Sequence, residues 1–232
     1  MNPARRSFGS REDLALALAE AVAEHLKAGI ESRGAGALAV SGGSTPARFF
    51  GALGRRRDVD WSRVMVTLVD ERWVPETHER SNAGLVNEKL LQGPAASARF
   101  IPLYTGGTQP DAAAMARAND LQARVPTPFD AVVLGMGNDG HTASFFPGGD
   151  TLGEALAGEG PVLAIRAPGA GEPRATLTLS RLLAAGMVYL HIEGEEKEKV
   201  LETALGEGPV EDMPVRAVLR QIRTPVTVFW SP

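Results

Sequence analysis

Short, wholly apolar runs that stop abruptly at glycine or charge set the strongest limit on how this chain can fold. Ala37-Leu38-Ala39-Val40 ends at Ser41-Gly42-Gly43, Val64 to Val69 ends at Asp70, and Ala131-Val132-Val133-Leu134 ends at Gly135. Val162 to Ile165, Leu177 to Leu179, Val188 to Ile192 and Val226 to Phe229 are further strand candidates. Between several of them lie stretches with apolar residues at every third or fourth position: Arg11 to Ser32, Pro46 to Leu53, Ser81 to Leu91, Pro110 to Ala123 and Glu195 to Leu205. That spacing predicts amphipathic helices. Brief continuous strands alternating with helices predict an α/β fold built on a mainly parallel sheet. With no internal repeat and no low-complexity linker, residues 1–232 read as a single domain, with 1–9 as a flexible N-terminal tail.

Where the apolar runs stop matters for function. In open parallel sheets, ligands bind beyond the carboxyl ends of the strands. Ser41 to Pro46, Asp70 to Pro75 and Gly135 to His141 all begin at such ends, so the three clusters are expected to share one cleft.

Composition narrows the chemistry. The chain has no cysteine, which excludes disulfides, thiolate metal sites and a cysteine nucleophile. The net charge of −4 gives no support for nucleic-acid binding, which needs a basic patch or stripe. An acidic total does not forbid an anionic ligand, because the local field of a cleft decides. No apolar run approaches the roughly 20 residues that span a bilayer, and the N-terminus lacks an unbroken signal core. A cytoplasmic address with no membrane partner is expected.

The first cluster, Ser41-Gly42-Gly43-Ser44-Thr45-Pro46, reads in two ways. It is an ordinary strand-to-helix turn, or its glycines, its hydroxyls and the amides of a helix opened by Pro46 form a phosphate seat. It is not a Walker loop, since no lysine follows the glycines. The second, Asp70-Glu71-Arg72-Trp73-Val74-Pro75 with Ser81-Asn82 beyond, is either a solvated loop with an internal ion pair or a cleft wall. In the second case Arg72 offers a fork for phosphate or carboxylate. The third, Gly135-Met136-Gly137-Asn138-Asp139-Gly140-His141, matches G-x-G-x-x-G. The dinucleotide reading fails because the match lies mid-chain, Pro147 follows too soon for a long helix, and an acid and an imidazole stand where bare backbone is required. Asp139 and His141 suit proton transfer instead, with the carboxylate orienting the ring. Of the other histidines, His25 and His191 read as structural, and His78 as a weaker cleft candidate. Lys197, in Gly194 to Lys199, and Arg174, in Pro173 to Thr178, are possible anion ligands.

Taken together and in order, these motifs resemble those of the 6-phosphogluconolactonases. Ser41 to Pro46, Asp70 to Pro75, Ser81-Asn82 and Gly135 to Pro147 are similar to successive motifs of that family, as are Arg174 with Thr176-Leu177-Thr178, Gly194 to Lys197, and Val226 to Pro232. Phe145 stands where leucine is more usual, a swap between apolar residues. The resemblance implies a Rossmann-like sheet with helices on both faces, with room for a small additional lobe, related to glucosamine-6-phosphate deaminases. It implies hydrolysis of 6-phospho-D-glucono-1,5-lactone in the oxidative pentose phosphate pathway, with no cofactor and no metal. Carried over by position, His141 is the general base and Asp139 its partner. Gly42, Gly43, Ser44, Thr45, Asp70, Arg72, Asn82, Arg174 and Lys197 are the substrate contacts. The partner expected is a phosphorylated sugar lactone, and the chain a monomer or weak homo-oligomer. Two competing readings are a glucosamine 6-phosphate isomerase-deaminase and a non-catalytic sugar-phosphate sensor. The first wants an additional carboxylate base, and the second a DNA-reading module for which a helix beginning near residue 11 leaves no room.

Overall fold

The computed structural model describes residues 3–232; Met1 and Asn2 of the expected tail lie outside the described residues. Strands β1 (Ala4–Ser7), β2 (Gly36–Val40), β3 (Val64–Leu68), β5 (Arg99–Ile101), β6 (Ala131–Leu134), β9 (Val188–Glu193) and β10 (Val226–Ser231) form one sheet in the order β1-β10-β9-β6-β2-β3-β5. Every neighbouring pair in it is parallel. β4 (Asp70–Arg72), β8 (Arg174–Leu177) and β7 (Val162–Ile165) make a second, antiparallel sheet. This is the additional element anticipated beside the main sheet. The helices are α1 (Arg11–Arg33), α2 (Ala47–Gly54), α3 (Asn82–Lys89), α4 (Ala112–Gln122), α5 (Leu152–Ala157), α6 (Leu179–Leu183), α7 (Glu195–Leu205) and α8 (Val215–Arg220).

All residues of β2 and β6 are buried, which explains why they read as unbroken apolar runs: a parallel strand covered on both faces has no polar side to show. α1 supplies part of that cover with Leu14, Leu18, Val22 and Leu26, four apolar side chains one turn apart and fully buried. Burying each such side chain contributes about 1.5–3 kcal/mol. Its ends are set locally. The Ser10 hydroxyl accepts the Asp13 amide, and Gly34 at φ 79° closes the last turn by donating its N–H to the Ile30 carbonyl.

Three expectations need correction. Residues 4–7, assigned to the tail, are an edge strand paired with β10, from Ala4 opposite Thr227 to Ser7 opposite Trp230. All four side chains are exposed, so no apolar pattern announced the strand; backbone pairing holds it, with Arg5 ion-paired to Glu198 and stacked over Trp230. Leu177–Leu179 is not a strand. Pairing ends at Leu177, and the Thr178 hydroxyl accepts the Arg181 amide to start α6. Asp70–Arg72 is not a loop but the edge of the antiparallel sheet.

The chain order of the main sheet reverses at its centre. From β2 the chain proceeds through β3 to β5 at one edge, then returns to β6 on the other side of β2 and continues to β9 and β10. The loops leaving β2 and β6 therefore diverge, and a crevice opens between them.

Packing between α2 and α3 is tight enough to test. A Cβ on Gly54 would overlap the Leu90 carbonyl oxygen at the end of α3. Alanine ordinarily favours a helix over glycine by about 1 kcal/mol, but here Gly54→Ala is expected to cost about 1–3 kcal/mol. The thermal midpoint should fall by roughly 2–4 °C per kcal/mol, read by calorimetry. A midpoint that rises contradicts this packing.

Candidate active site

The crevice is a cleft of about 430 Å³, within the size range of small-molecule sites. Gly42, Gly43, Ser44, Thr45, Asp70, Arg72, Asn82, His141, Arg174 and Lys197, all singled out from the sequence, line it. Asp139 does not line the cleft but holds His141 from behind.

The Ser41–Pro46 turn continues from β2, anchored by the Ser41 amide on the Val133 carbonyl at 2.8 Å. Gly43 has φ 92°, a backbone shape that favours glycine. Pro46 occupies the N-cap position of α2 without a side-chain hydrogen bond to the first amides, which stay available to an anion. Gly42 is needed for a different reason: a Cβ there would overlap the Asn82 carboxamide. Asn82 donates Nδ2 to the Asp70 carbonyl at 2.9 Å, and its buried Oδ1 has no partner among the described residues. Asn82 thus joins the turn to β4.

His141 leaves the loop after β6. Its Nδ1 lies 2.6 Å from Asp139 Oδ1, and its amide donates to the same oxygen at 3.1 Å. With Nδ1 carrying the proton toward the carboxylate, Nε2 presents a lone pair. The imidazole is 31% exposed and tilted against Phe146 at 4.4 Å, so it is neither sealed nor free to rotate. Burial acts to raise the Asp139 carboxyl, but the hydrogen bonds and charge of His141 outweigh it, and the group sits below its ordinary value. The loop is set by the Gly137 amide on the His141 carbonyl, 2.9 Å, and by Gly140 at φ 78°. Ala143 also has positive φ, 48°, an uncommon shape for a residue with a Cβ. Ser144 then donates to Asp70 Oδ2 at 2.5 Å, tying the histidine loop to the second sheet.

The second sheet contributes cations. Arg72 on β4 and Arg174 on β8 are direct cross-strand partners. Like charges so placed destabilise a sheet unless an anion joins them. The Arg174 Nη2 donates to the Ala170 carbonyl at 2.8 Å, and the Arg72 Nη1 to the Arg80 carbonyl at 2.5 Å, so backbone fixes both side chains. Burial above all, with repulsion from Arg72 and Arg80, lowers the Arg174 pKa, while Asp70 and Glu172 pull it the other way. Burial likewise lowers Lys197 below the usual lysine value, against the attraction of Asp139 and Glu196.

Glu71, the third charge of its cluster, has a structural part. It is fully buried and accepts the amides of Arg72, Asn82 and Ala83, each at 2.8 Å, which pins the start of α3. Sequence reading missed Arg80, which lines the cleft and pairs with Glu172 at 3.1 Å. It lies in an exposed polar stretch, and only a contact more than ninety residues away marks it. His78 does not line the cleft; its Nδ1 accepts the Arg80 amide. His25 packs near Tyr189, 6.0 Å between centroids. His191 is buried as expected but also lines the cleft. Among the described residues, no group of three His, Asp or Glu side chains is arranged to hold a metal, and no helix is long and apolar enough to cross a membrane.

Residues 9–230 match the family described as Glucosamine-6-phosphate isomerases/6-phosphogluconolactonase. The chain belongs to this family. It is 52% identical to the 6-phosphogluconolactonase of Rhizobium meliloti (strain 1021), covering 97% of each chain. It is 43% identical to that of Pseudomonas aeruginosa, covering 97% of this chain and 93% of the relative. The crystal structure of a 6-phosphogluconolactonase from Shewanella baltica superposes with a TM-score of 0.97 at 42% identity, covering 99% of this chain and 98% of that one. A monomeric glucosamine-6-phosphate deaminase shares the fold at a TM-score of 0.79 and 17% identity.

Within this family frame, the histidine loop makes a sharp prediction. A Cβ on Gly137 would overlap the His141 imidazole and lie 2.5 Å from Asp139 Oδ1. Gly137→Ala should therefore break the His141–Asp139 hydrogen bond and abolish the downfield imidazole N–H resonance in a proton NMR spectrum. A retained resonance would show that the pair tolerates the methyl group.

Proposed function

We propose that the chain hydrolyses 6-phospho-D-glucono-1,5-lactone to 6-phospho-D-gluconate, the step named by the relatives above, within the oxidative pentose phosphate pathway. The observation that carries this reading is a histidine–carboxylate pair opening into the same cleft as a glycine turn and two facing arginines. A general base and a seat for anions at one site suit attack of water on a phosphorylated ester.

His141 is the general base. Because Asp139 holds Nδ1, Nε2 takes a proton from water as the water oxygen bonds to the lactone carbonyl carbon. The negative charge that develops on the carbonyl oxygen is met by Arg72 or by loop amides. The bond from that carbon to the ring oxygen then breaks, Nε2 returns its proton to the ring oxygen, and the new carboxyl group ionises. Asp139 keeps the ring in the required tautomer and stabilises the imidazolium. Gly42, Gly43, Ser44 and Thr45, with Arg72, Arg174 and Lys197, bind the substrate, its phosphate above all, and fix the carbonyl against His141. Asp70 and Asn82 hold the walls of the cleft in register. A lactone is already a reactive ester, so a base worth about 10²–10⁴-fold and a comparable oxyanion contribution suffice.

His141→Ala is expected to lower kcat by about 10²–10⁴-fold while 6-phosphogluconate still binds, measured with freshly generated lactone and by calorimetric titration. A near wild-type rate in that variant refutes the assignment. Ammonia release from glucosamine 6-phosphate by the wild-type protein would point instead to the isomerase branch of the family.

A further inference from the structure

Beyond His141 and Asp139, the cleft contains a second imidazole–carboxylate pair for which the proposed hydrolysis has no use. His191 and Glu193 lie two residues apart on β9, so their side chains share one face of the sheet. His191 Nε2 is 3.1 Å from Glu193 Oε1, and the side chains are only 2% and 6% exposed, yet both residues line the cleft. Groups this buried need a reason to be polar.

The surroundings determine which ring nitrogen is free. Glu193 Oε2 faces Arg11 at 3.5 Å from α1 and Arg48 at 3.9 Å from α2, which keeps the carboxylate an acceptor. Phe49 of α2 meets the His191 ring edge-on at 6.2 Å and limits its rotation. Nε2–H therefore donates to Glu193, and Nδ1 is left as a lone-pair acceptor. Nδ1 has no hydrogen bond to any described residue, and it is not among the sealed, unpartnered atoms. The position is close to the histidine loop: Leu190 pairs with Leu134, so His191 follows at the same end of the sheet as Gly135, from which the His141 loop departs, and both residues line the cleft.

We propose that His191, oriented by Glu193, is a specificity-determining residue whose Nδ1 accepts a hydrogen bond from one ring hydroxyl of the phosphorylated sugar lactone. The inference rests on the lactone hydrolysis proposed above. A lone acceptor discriminates well, because a substrate without the matching hydroxyl leaves it desolvated and unpaired.

The test is a cycle of enzyme variants against substrate analogues. kcat/KM is measured for wild type and His191→Phe on 6-phosphoglucono-1,5-lactone and on its 2-deoxy, 3-deoxy and 4-deoxy analogues. On the full lactone His191→Phe should lose about tenfold in kcat/KM. On one deoxy analogue the two proteins should differ by less than about threefold, since the partner is already absent. A merely structural histidine would cost the same on every substrate, and that result, or no loss at all, overturns the role. Glu193→Gln keeps the volume but no longer fixes the tautomer, and it should show a smaller loss with the same analogue dependence; it serves if His191→Phe does not fold. A wild-type protein inactive on the full lactone overturns the functional reading itself, whereas an active wild type with no analogue-dependent loss in either variant overturns only the part given to His191.

Discussion

Two parallel strands, β2 and β6, lie side by side although the chain makes three other strands between them, and this adjacency determines the rest of the molecule. Because the connections that follow them run toward opposite edges of the sheet, the backbone cannot close over their carboxyl ends. One strand delivers the glycine turn and the other the histidine loop, joined at the base by the Ser41 amide on the Val133 carbonyl. The apolar runs that fill the core are thus also what bring the glycine turn and the His141 imidazole to one cleft.

Around that crevice the structure accepts local cost. Two arginines face each other across β4 and β8, and a third, Arg80, lines the cleft with them and is ion-paired to Glu172. Ala143 adopts a left-handed backbone just after His141, and Asn82 Oδ1 and Arg72 Nε are buried without partners among the described residues. Such features cost about 1–3 kcal/mol each against folding, and several of them border the cleft. The core residues packed below, such as Leu38, Val40 and Leu134, show no comparable strain and supply the rigidity that holds the cleft open.

Much of this was legible in the sequence because its signals are local. β2 and β6 are buried along their whole length and carry no polar side chain, and each ends in a glycine-containing polar turn, so Ala37–Pro46 and Ala131–His141 announce both the strands and the cleft they border. The helices expected over 11–32, 81–91 and 110–123 are present to within two residues at each end, and the structure shows Ser10, Ser81 and Asp111 capping their starts. What stayed hidden depends on contacts between distant residues. β1 has no apolar face and exists through its pairing with the C-terminal strand; the antiparallel sheet brings Arg72 to Arg174 across a hundred residues; Arg80 becomes part of the cleft only through Glu172. His191 in an apolar strand looked like packing because its neighbours are packing, and only the cleft that it lines sets it apart.

The account comes down to whether the glycine turn and the imidazole address the two ends of one molecule. A crystal structure with 6-phospho-D-gluconate bound tests this most directly. The expected result has the phosphate against the Gly42–Thr45 turn and the carboxylate within hydrogen-bond reach of His141 Nε2, about 3 Å. A carboxylate pointing away from His141, or a phosphate seated outside the cleft, would contradict it.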